Sequence, residues 1–193
     1  MILGILSDTH GRHQRAARAR RVLERVGARE FVHCGDVGGV AVFEQFRGDR
    51  FSFVWGNTDI HDAPIEAEIA ARGFTLPAVV PLRIRVGDAS IAVYHGHERE
   101  FASIAGIFAS MDTQRARQIL PEVQYVLYGH THEAADLRVG HLRLINPGAL
   151  QRARVYTVAT LDVQVGTVRF WRVDDDARDA APTPWFPDAR DDS

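Results

Sequence analysis

Five short clusters of histidine, aspartate and asparagine stand out in the sequence because each directly follows an apolar run. They are Asp8-x-His10, Gly35-Asp36, Gly56-Asn57, His95-Gly96-His97 and Gly129-His130-Thr131-His132. Carboxylate, amide and imidazole groups are ligands that suit divalent first-row metals. The sequence has one cysteine, Cys34, so an internal disulfide and a multi-cysteine metal site are excluded. The clusters therefore predict a metal site made from oxygen and imidazole ligands.

The elements that must position these clusters are predicted to be short buried strands. Apolar runs at 1–6, 31–34, 51–55, 90–94 and 123–127 each end where one cluster begins. In open α/β sheets, ligands gather at the carboxyl ends of the strands, so clusters that are distant in sequence can converge. The i, i+2 spacing within Asp8-x-His10 and His130-x-His132 lets both side chains leave an extended segment on the same side.

The remaining pattern first alternates strands with helices and then changes to hairpins. Helices are predicted at 12–26, 40–46, 100–110 and 113–120, and further strands at 80–86, 136–139, 142–145, 155–161 and 167–173. The pair Gly87-Asp88 is typical of a hairpin turn between neighbouring strands. Early βα units followed by β-hairpins indicate an α/β layered fold with a mixed sheet core.

Length and charge set limits on the class of protein. The chain has 193 residues, 46% of them hydrophobic, and a net charge of −2. This profile is typical of one globular domain and lacks the basic excess of a nucleic-acid-binding protein. No apolar run approaches the ~18 residues of a membrane span, and the N-terminal residues lack the basic flank of a signal peptide. We therefore expect a cytoplasmic protein that binds neither membranes nor specific nucleic acids.

The C-terminal residues differ in composition from the rest of the chain. Residues 174–193 contain seven aspartates against two arginines, together with three prolines. We therefore divide the chain into a domain at 1–173 and an acidic, proline-containing tail at 174–193. The aromatic pair Trp185-Phe186 is the exception within the tail, and we expect it to anchor the segment on the domain.

The order of the motifs is more specific than any one of them. The series D-x-H, G-D, G-N-x-D, H-G-H and G-H-T-H, followed by Asn146-Pro147-Gly148, resembles the calcineurin-like metallophosphoesterases. Within that superfamily it is most similar to the small single-domain phosphodiesterase branch, related to bacterial YfcE. The likeness covers about residues 1–172. It implies a four-layer α/β/β/α sandwich of two mixed β-sheets with a dinuclear metal centre at one edge.

The resemblance also implies a role for each cluster. The first metal would be held by Asp8, His10 and His132, and the second by Asn57, His95 and His130. Asp36 would bridge the two divalent ions, and Asp36, Asn57 and His95 would act in catalysis. Manganese is the expected metal, with nickel, iron, zinc and magnesium as alternatives. The implied reaction is attack by a metal-bridging water on the phosphorus of a small phosphodiester.

Other polar residues near the motifs are candidates for substrate contact or proton transfer. Many larger relatives carry a histidine after the asparagine, where this chain has Thr58, so we expect a preference for good leaving groups. His61 and His97 are the candidate substitute proton donors, and Arg12 could touch a substrate phosphate. We expect His33, inside a strand, to pack or to hydrogen-bond near the ligands instead of binding metal.

Two rival functions remain open at this point. The chain could be a phosphomonoesterase that acts on nucleotides or phosphoproteins. It could also be a non-catalytic interaction module, because the small retromer subunit is built on a similar fold. The complete set of seven ligands argues against the module, since a scaffold has no need of them. The sequence leaves the oligomeric state and the physiological substrate open.

Overall fold

A computed structural model describes residues 1–175 and 181–187 of the chain. Its strands are β1 Ile2–Leu6, β2 Glu30–His33, β3 Arg50–Phe53, β4 Leu82–Val86, β5 Ala89–Val93, β6 Tyr125–Leu127, β7 Ala135–Val139, β8 Leu142–Asn146, β9 Thr157–Asp162, β10 Thr167–Arg172 and β11 Pro184–Trp185. Its helices are α1 His13–Arg25, α2 Val40–Phe43, α3 Ala63–Ala71, α4 Arg99–Ser110 and α5 Thr113–Ile119. In the described ranges, no helix has both the length and the apolar composition needed to cross a bilayer.

The first sheet has the strand order β11-β10-β9-β1-β2-β3. Strands β1, β2 and β3 are parallel, whereas β9, β10 and β11 are joined by antiparallel pairings. Leu6 of β1 lies opposite His33 of β2, which lies opposite Phe53 of β3. The three parallel strands therefore end at the same level, and the loops that carry Asp8, Asp36 and Asn57 begin there.

The second sheet has the order β4-β5-β6-β8-β7 and is also mixed. Its central strands β5, β6 and β8 are parallel, with Val93 opposite Leu127 and Leu127 opposite Ile145. The chain segments that follow these three residues contain the H-G-H cluster, the G-H-T-H cluster and the N-P-G motif. Both sheets thus deliver their polar loops from the carboxyl ends of parallel strands.

Alternation along the strands separates two faces of each sheet. In β1, Leu3 and Ile5 face the second sheet and join a buried cluster with residues of β5 and β6, whereas Leu6 packs on the helical side. Helix α1 covers that outer face with Ala16, Ala19 and Leu23, which recur at helical spacing. Helix α4 covers the outer face of the second sheet with Phe101, Ile104, Ile107 and Phe108. The layers are therefore α/β/β/α, which confirms the expected sandwich of two mixed sheets.

Two elements were absent from the sequence-based prediction. Helix α3 begins after Asp62, whose carboxylate accepts the backbone N–H of Ile65 at 3.1 Å. Ile69 is the one fully buried residue of α3, so the helix has no apolar stripe that a periodicity search would detect. Strand β11 has two residues, which is too short for an alternating pattern. The predicted helix at 40–46 also divides, with α2 passing into a 3₁₀ turn at Glu44–Phe46.

The described part of the C-terminal segment lies on the first sheet. Asp175 forms ion pairs with Arg15 at 2.5 Å and Arg18 at 2.7 Å. Strand β11 pairs with β10, and the Trp185 ring stands edge-on to Phe170 with centroids 6.2 Å apart. Phe186 is 68% exposed, so the expectation that both aromatic residues are buried anchors is wrong for Phe186. The acidic residues at 176–180 and 188–193 lie outside the described residues.

Truncation should show how much the C-terminal segment contributes to stability. Removing all residues after Val173 deletes the Asp175 ion pairs and strand β11, so we expect the free energy of unfolding to fall by about 1–2 kcal/mol. For a chain of this length that corresponds to a melting temperature lower by about 2–8 °C in a calorimetric scan. Truncation after Pro187 is the matched control and should leave the melting temperature unchanged. Equal melting temperatures for the two truncated proteins would contradict the contribution of β11.

Candidate metal centre

All seven predicted ligands lie at one edge of the sandwich. Three come from loops of the first sheet, namely Asp8, Asp36 and Asn57, and three histidines come from loops of the second sheet, namely His95, His130 and His132. The seventh, His10, follows Asp8 in the first loop. The site therefore lies across the junction of the two sheets, with four of its seven residues on loops of the first sheet and three on loops of the second.

The first ligand group consists of Asp8, His10 and His132, whose ligand atoms all lie within 4.8 Å of one another. Asp8 Oδ1 is 3.2 Å from His132 Nε2 and 4.0 Å from His10 Nε2, and the two Nε2 atoms are 3.5 Å apart. His132 Nδ1 lies 3.3 Å from the carbonyl oxygen of Arg152, which can only accept a hydrogen bond. This contact requires a proton on Nδ1, so Nε2 is the ring nitrogen of His132 that faces Asp8.

The Asp8 carboxylate has surroundings that fit a metal ligand. Asp8 is fully buried, and its Oδ2 accepts the backbone N–H of His130 at 3.0 Å. Its Oδ1 is buried and has no hydrogen-bond partner in the described part of the chain. Burial raises the pKa of Asp8 above its ordinary value. Because buried polar atoms are normally paired, an orphaned carboxylate oxygen facing imidazole nitrogens fits a metal ligand.

The second group of close ligand atoms consists of Asp8, Asp36 and His95, so Asp8 belongs to both groups. His95 Nε2 lies 3.5 Å from Asp36 Oδ2 and 3.1 Å from Asn57 Oδ1, while His95 Nδ1 lies 2.7 Å from the carbonyl oxygen of Cys34. Nδ1 must donate to that carbonyl, so Nε2 faces two oxygen atoms that also carry lone pairs. A proton or a metal cation is the charge that satisfies such a cluster of acceptors.

Asp36 belongs to the second group and also approaches His10 of the first group. Its Oδ2 is 3.6 Å from His10 Nε2 and 3.5 Å from His95 Nε2, and its Oδ1 accepts the backbone N–H of Thr58 at 2.9 Å. Burial alone would raise the pKa of Asp36, but the hydrogen bonds from His95 and Thr58 outweigh it and hold the pKa well below its usual range. Asp36 is therefore a carboxylate anion placed within reach of ligands from both groups.

His130 is placed differently from the other six predicted ligands. Its ring centroid is 5.1 Å from that of His95, and burial lowers the pKa of its imidazole. Within the described residues, its ring nitrogens belong to neither of the two close groups of ligand atoms. Its backbone N–H holds Asp8, as described above. The side chain thus lies beside the second group, and its role as a ligand stays a prediction.

Five of the predicted ligands have left-handed backbone conformations. The φ angles of Asp8, His10, Asp36, His130 and His132 lie between +43° and +67°. This region costs a non-glycine residue about 1–3 kcal/mol, so it persists only where the surroundings enforce it. Backbone bonds provide that enforcement, including Asp8 N–H to Gly35 O at 3.1 Å and His10 N–H to Asp36 O at 2.9 Å. The loops of neighbouring strands therefore hold one another in the strained form that points the side chains inward.

Two carboxylates outside the ligand set brace these loops. Asp59 accepts the backbone N–H of Gly38 at 2.7 Å and of Gly56 at 2.8 Å, which ties two site loops together. Glu98 accepts the backbone N–H of His95 at 2.8 Å and of Gly96 at 2.7 Å. Sequence reasoning assigned no role to either residue. The sequence did indicate Asp59, which is the last position of the G-N-x-D motif. For Glu98 the sequence offered only its position three residues after His95.

Two glycines allow the loops to approach this closely. A Cβ atom on Gly56 would collide with the backbone and carboxylate of Asp36, and one on Gly129 would collide with the Ser7 hydroxyl. Asn146 secures the Gly129 loop from below, because its amide nitrogen donates to Gly129 O at 2.9 Å. The glycines within the motifs are thus explained by packing of one ligand loop against another.

The candidate proton donors fall into two groups by position. The His97 ring lies 5.4 Å from that of His95 and 6.3 Å from that of His130, at the margin of the ligand set. The His61 ring stacks on Trp55 with centroids 5.2 Å apart, and no contact joins it to a ligand in the described residues. His97 therefore lies close to two predicted ligands, whereas the ring contact of His61 is with Trp55.

Thr58 and Arg12 also have defined surroundings. The Thr58 hydroxyl lies 3.4 Å from His10 Nδ1, and the backbone of Thr58 holds Asp36. Arg12 is exposed, and its Nε donates to the side-chain oxygen of Gln151. Thr58 is thus in contact with two ligands, whereas the contact described for Arg12 is with a neighbouring loop.

His33 lies beneath the site. It is fully buried, and burial lowers its pKa to about 3, so the imidazole is neutral. Its Nε2 is 2.9 Å from the hydroxyl of Thr9, which itself donates to Val37 O at 2.8 Å. His33 therefore donates to Thr9 and supports the first loop from inside the sheet. This position agrees with the packing and hydrogen-bonding role expected for it.

Comparison with known proteins identifies the family of this chain. The model of the calcineurin-like phosphoesterase superfamily domain matches residues 1–166. The chain belongs to this superfamily. Its members are metal-dependent, and the matched range contains every predicted ligand. A curated relative is the phosphodiesterase MJ0936 of Methanocaldococcus jannaschii, which is 23% identical over 155 residues, covering 77% of this chain and 83% of the relative.

Solved structures confirm the fold of this phosphoesterase. An archaeal phosphodiesterase aligns with a TM-score of 0.71 at 21% identity, covering 89% of this chain and 99% of the other. YfcE, a phosphoesterase from E. coli, aligns at 0.56 with 19% identity over 90% and 100% of the two chains. Zinc-bound Vps29 from Entamoeba histolytica aligns at 0.60 with 17% identity over 96% and 97%. The phosphoesterase therefore has the architecture of the small single-domain branch.

Glu98 offers a test of the support around His95. In Glu98→Gln one of the two acceptor oxygens becomes an NH₂ group, which cannot accept a backbone N–H. We expect the affinity for Mn²⁺, measured by isothermal titration calorimetry, to fall about 10–100-fold with the fold retained. Glu100→Gln, on the exposed first turn of α4, is the matched control and should bind as the parent protein does. Unchanged affinity in Glu98→Gln would show that this carboxylate does not position the ligand loop.

Proposed function

We propose that this phosphoesterase hydrolyses small phosphodiesters with the help of two divalent metal ions. The observation that carries the proposal is the position of Asp36, whose Oδ2 lies 3.6 Å from His10 Nε2 and 3.5 Å from His95 Nε2. A carboxylate has two oxygens and can contact two cations, which suits it to join a pair of metal sites. The names of the relatives, phosphodiesterase and phosphoesterase, support the same reaction class.

The division of the residues between the two metals follows the resemblance to the family, because Asp8 is in both close groups and His130 is in neither. Asp8, His10 and His132 would hold one ion, Asn57, His95 and His130 the other, and Asp36 would contact both. When bound, the two ions supply Lewis acidity to the phosphoryl oxygens and activate the attacking water. Mixed imidazole and oxygen ligands suit manganese, the metal we propose, and metal replacement tests it against nickel, iron, zinc and magnesium.

The protein side chains contribute orientation and charge. Asn57 provides a neutral amide oxygen 3.1 Å from His95 Nε2. The site would carry more negative charge if a carboxylate stood in this position in addition to Asp8 and Asp36. Asp59 and Glu98 hold the ligand loops by accepting backbone N–H groups. Thr58 donates its own backbone N–H to Asp36, and its hydroxyl contacts Nδ1 of His10. These residues keep the donors in place before substrate binds, which lowers the cost of arranging them during the reaction.

The position of Thr58 favours substrates whose leaving group needs no proton. A hydroxyl has no acidic proton to give at neutral pH, whereas an imidazolium has one. The Thr58 hydroxyl is also directed to His10 Nδ1 at 3.4 Å. We therefore propose aryl or other good leaving groups on a diester as the preferred class, with His97 as the histidine placed to assist weaker ones.

Replacement of Asp36 tests the proposed centre. Asp36→Asn keeps the shape but loses the negative charge that would join the two ions, so we expect turnover of bis(4-nitrophenyl) phosphate to fall by about a hundredfold or more. Circular dichroism should show the fold unchanged. Asp88→Asn, in the exposed turn between β4 and β5, is the matched control and should retain full activity. Near-normal turnover by Asp36→Asn would exclude this centre.

Replacement of Thr58 tests the leaving-group preference. Thr58→His introduces a proton donor while keeping the backbone N–H that holds Asp36, so we expect a selective gain for alkyl esters over aryl esters. The measurement is the ratio of kcat/KM for methyl and 4-nitrophenyl leaving groups. Thr58→Gln, of comparable size without an acidic proton, should not show the gain. Faster turnover of 4-nitrophenyl phosphate than of the matching diester by the parent enzyme would overturn the diester assignment itself.

A further inference from the structure

A second feature lies next to the edge of the sandwich that carries the seven predicted ligands, which we call the ligand edge. A cavity of about 480 Å³ opens beside His132. The residues that matter in its lining are Arg152, Arg154, Trp185, Pro187, Glu133 and Thr131. Since His132 lines the cavity and belongs to the first ligand group, the cavity adjoins that group. A substrate whose phosphorus is held at the ligand edge can therefore extend into this cavity.

The two arginines of the cavity are available to an anion. Arg152 and Arg154 are exposed, and neither guanidinium has a protein hydrogen bond or ion pair within residues 1–175 and 181–187. Arg15, Arg20 and Arg143, by contrast, all bind carboxylates. Glu133 is the acidic side chain of the lining, so the arginines exceed it by one positive charge. Guanidinium groups bind phosphate oxygens with paired N–H donors, which makes a phosphate the matching chemistry.

Arg152 is also connected directly to the candidate metal centre. Its carbonyl oxygen accepts the Nδ1–H of His132 at 3.3 Å, and its φ of +54° is in the left-handed region. The strained backbone thus holds Arg152 against a ligand of the first group. If a substrate carries two phosphates, the Arg152 side chain could bind one of them while the other is held at the ligand edge.

Trp185 provides an aromatic wall of the cavity. Its ring is half-buried against Phe170, and it lines both this cavity and a neighbouring groove of about 600 Å³ that contains Leu137 and Phe186. The two spaces share Ala134, Trp185 and Pro187. A planar ring of a substrate can stack on an indole with a gain that does not depend on the ring's identity.

We propose that Arg152, Arg154 and Trp185 form a substrate subsite for a nucleotide-type group that carries a second phosphate. The second phosphate is bound by the two arginines, and the planar base packs on Trp185. This subsite rests on the proposed phosphodiesterase function and narrows its substrate class from any small phosphodiester to one with a nucleotide as an ester substituent. The C-terminal strand β11 then takes part in substrate choice.

A matched pair of probes isolates the contribution of the arginines. The probes are the 4-nitrophenyl ester of thymidine 5′-phosphate and the same compound with an added 3′-phosphate. In both, water adds to the 5′-phosphorus, the bond to the aryl oxygen breaks and 4-nitrophenolate leaves, so the reacting centre is identical. We expect the 3′-phosphate to raise kcat/KM about tenfold or more in the manganese-loaded enzyme.

Variants assign that gain to the subsite. The double variant Arg152→Gln with Arg154→Gln should turn over the two probes equally, while the control Arg85→Gln, exposed on β4 at the opposite edge of the second sheet, should keep the gain. Trp185→Ala should raise KM for both nucleoside probes and leave methyl 4-nitrophenyl phosphate unaffected. Equal kcat/KM for the two probes in the parent enzyme, or a gain that survives in the double variant, would overturn the proposal.

A binding measurement separates this proposal from the phosphodiesterase function. Isothermal titration calorimetry with thymidine 3′,5′-bisphosphate should show binding to the purified protein that the double arginine variant weakens about tenfold or more. If no probe is hydrolysed but this difference is observed, the subsite stands and the proposed reaction fails. If the probes are hydrolysed but the bisphosphate binds parent and double variant equally, the reaction stands and the subsite is wrong.

Discussion

The burial of two carboxylates, Asp8 and Asp36, is the constraint on which the ligand edge depends. Their residues are 0% and 3% exposed, and a buried charge is costly unless it is paired or hydrogen-bonded. Backbone N–H groups of His130 and Thr58 satisfy one oxygen of each carboxylate. The other oxygens face imidazole nitrogens from both sheets. The loops must therefore adopt strained conformations that deliver these N–H groups, and a divalent cation is the partner that we propose for the remaining oxygens.

The sandwich arrangement makes this compensation available. The carboxylates come from the first sheet and His95, His130 and His132 come from the second, so neither sheet holds a complete site. The bond from His95 Nδ1 to Cys34 O and the contact of Gly129 with Ser7 cross the junction between them. The packing of the sheets thus determines the relative positions of the predicted ligands, so the proposed metal binding would depend on the buried apolar cluster between the sheets.

Much of this arrangement could be predicted from residue order, for definite physical reasons. A buried strand that ends in Gly-Asp or Gly-Asn appears in the sequence as an apolar run followed by polar residues. The positions of these runs therefore predicted which polar residues lie at strand ends. The layer arrangement and the division of ligands between two ions came from resemblance to a family, because spacing alone does not say which loops meet. The relative placement of the His130 ring depends on side-chain geometry that no pattern encodes.

The features that sequence reasoning missed depend on contacts between distant residues. Glu98 and Asp59 act through backbone N–H groups, which have no residue type to recognise. Helix α3 is partly exposed and lacks an apolar stripe, and β11 exists because β10 offers it an edge. Trp185 belongs to β11 and packs on Phe170, whereas Phe186 follows the strand and is exposed. This difference could be predicted only if the end of the strand were known.

Electron paramagnetic resonance of the manganese-loaded protein tests the central claim most directly. If Asp36 joins two ions held by the groups around Asp8 and His95, the protein saturated with Mn²⁺ should give the spectrum of a spin-coupled pair. That spectrum should disappear in Asp36→Asn. A saturated parent protein that shows only isolated, uncoupled Mn²⁺ would contradict the shared centre, and with it the account of why these carboxylates are buried together.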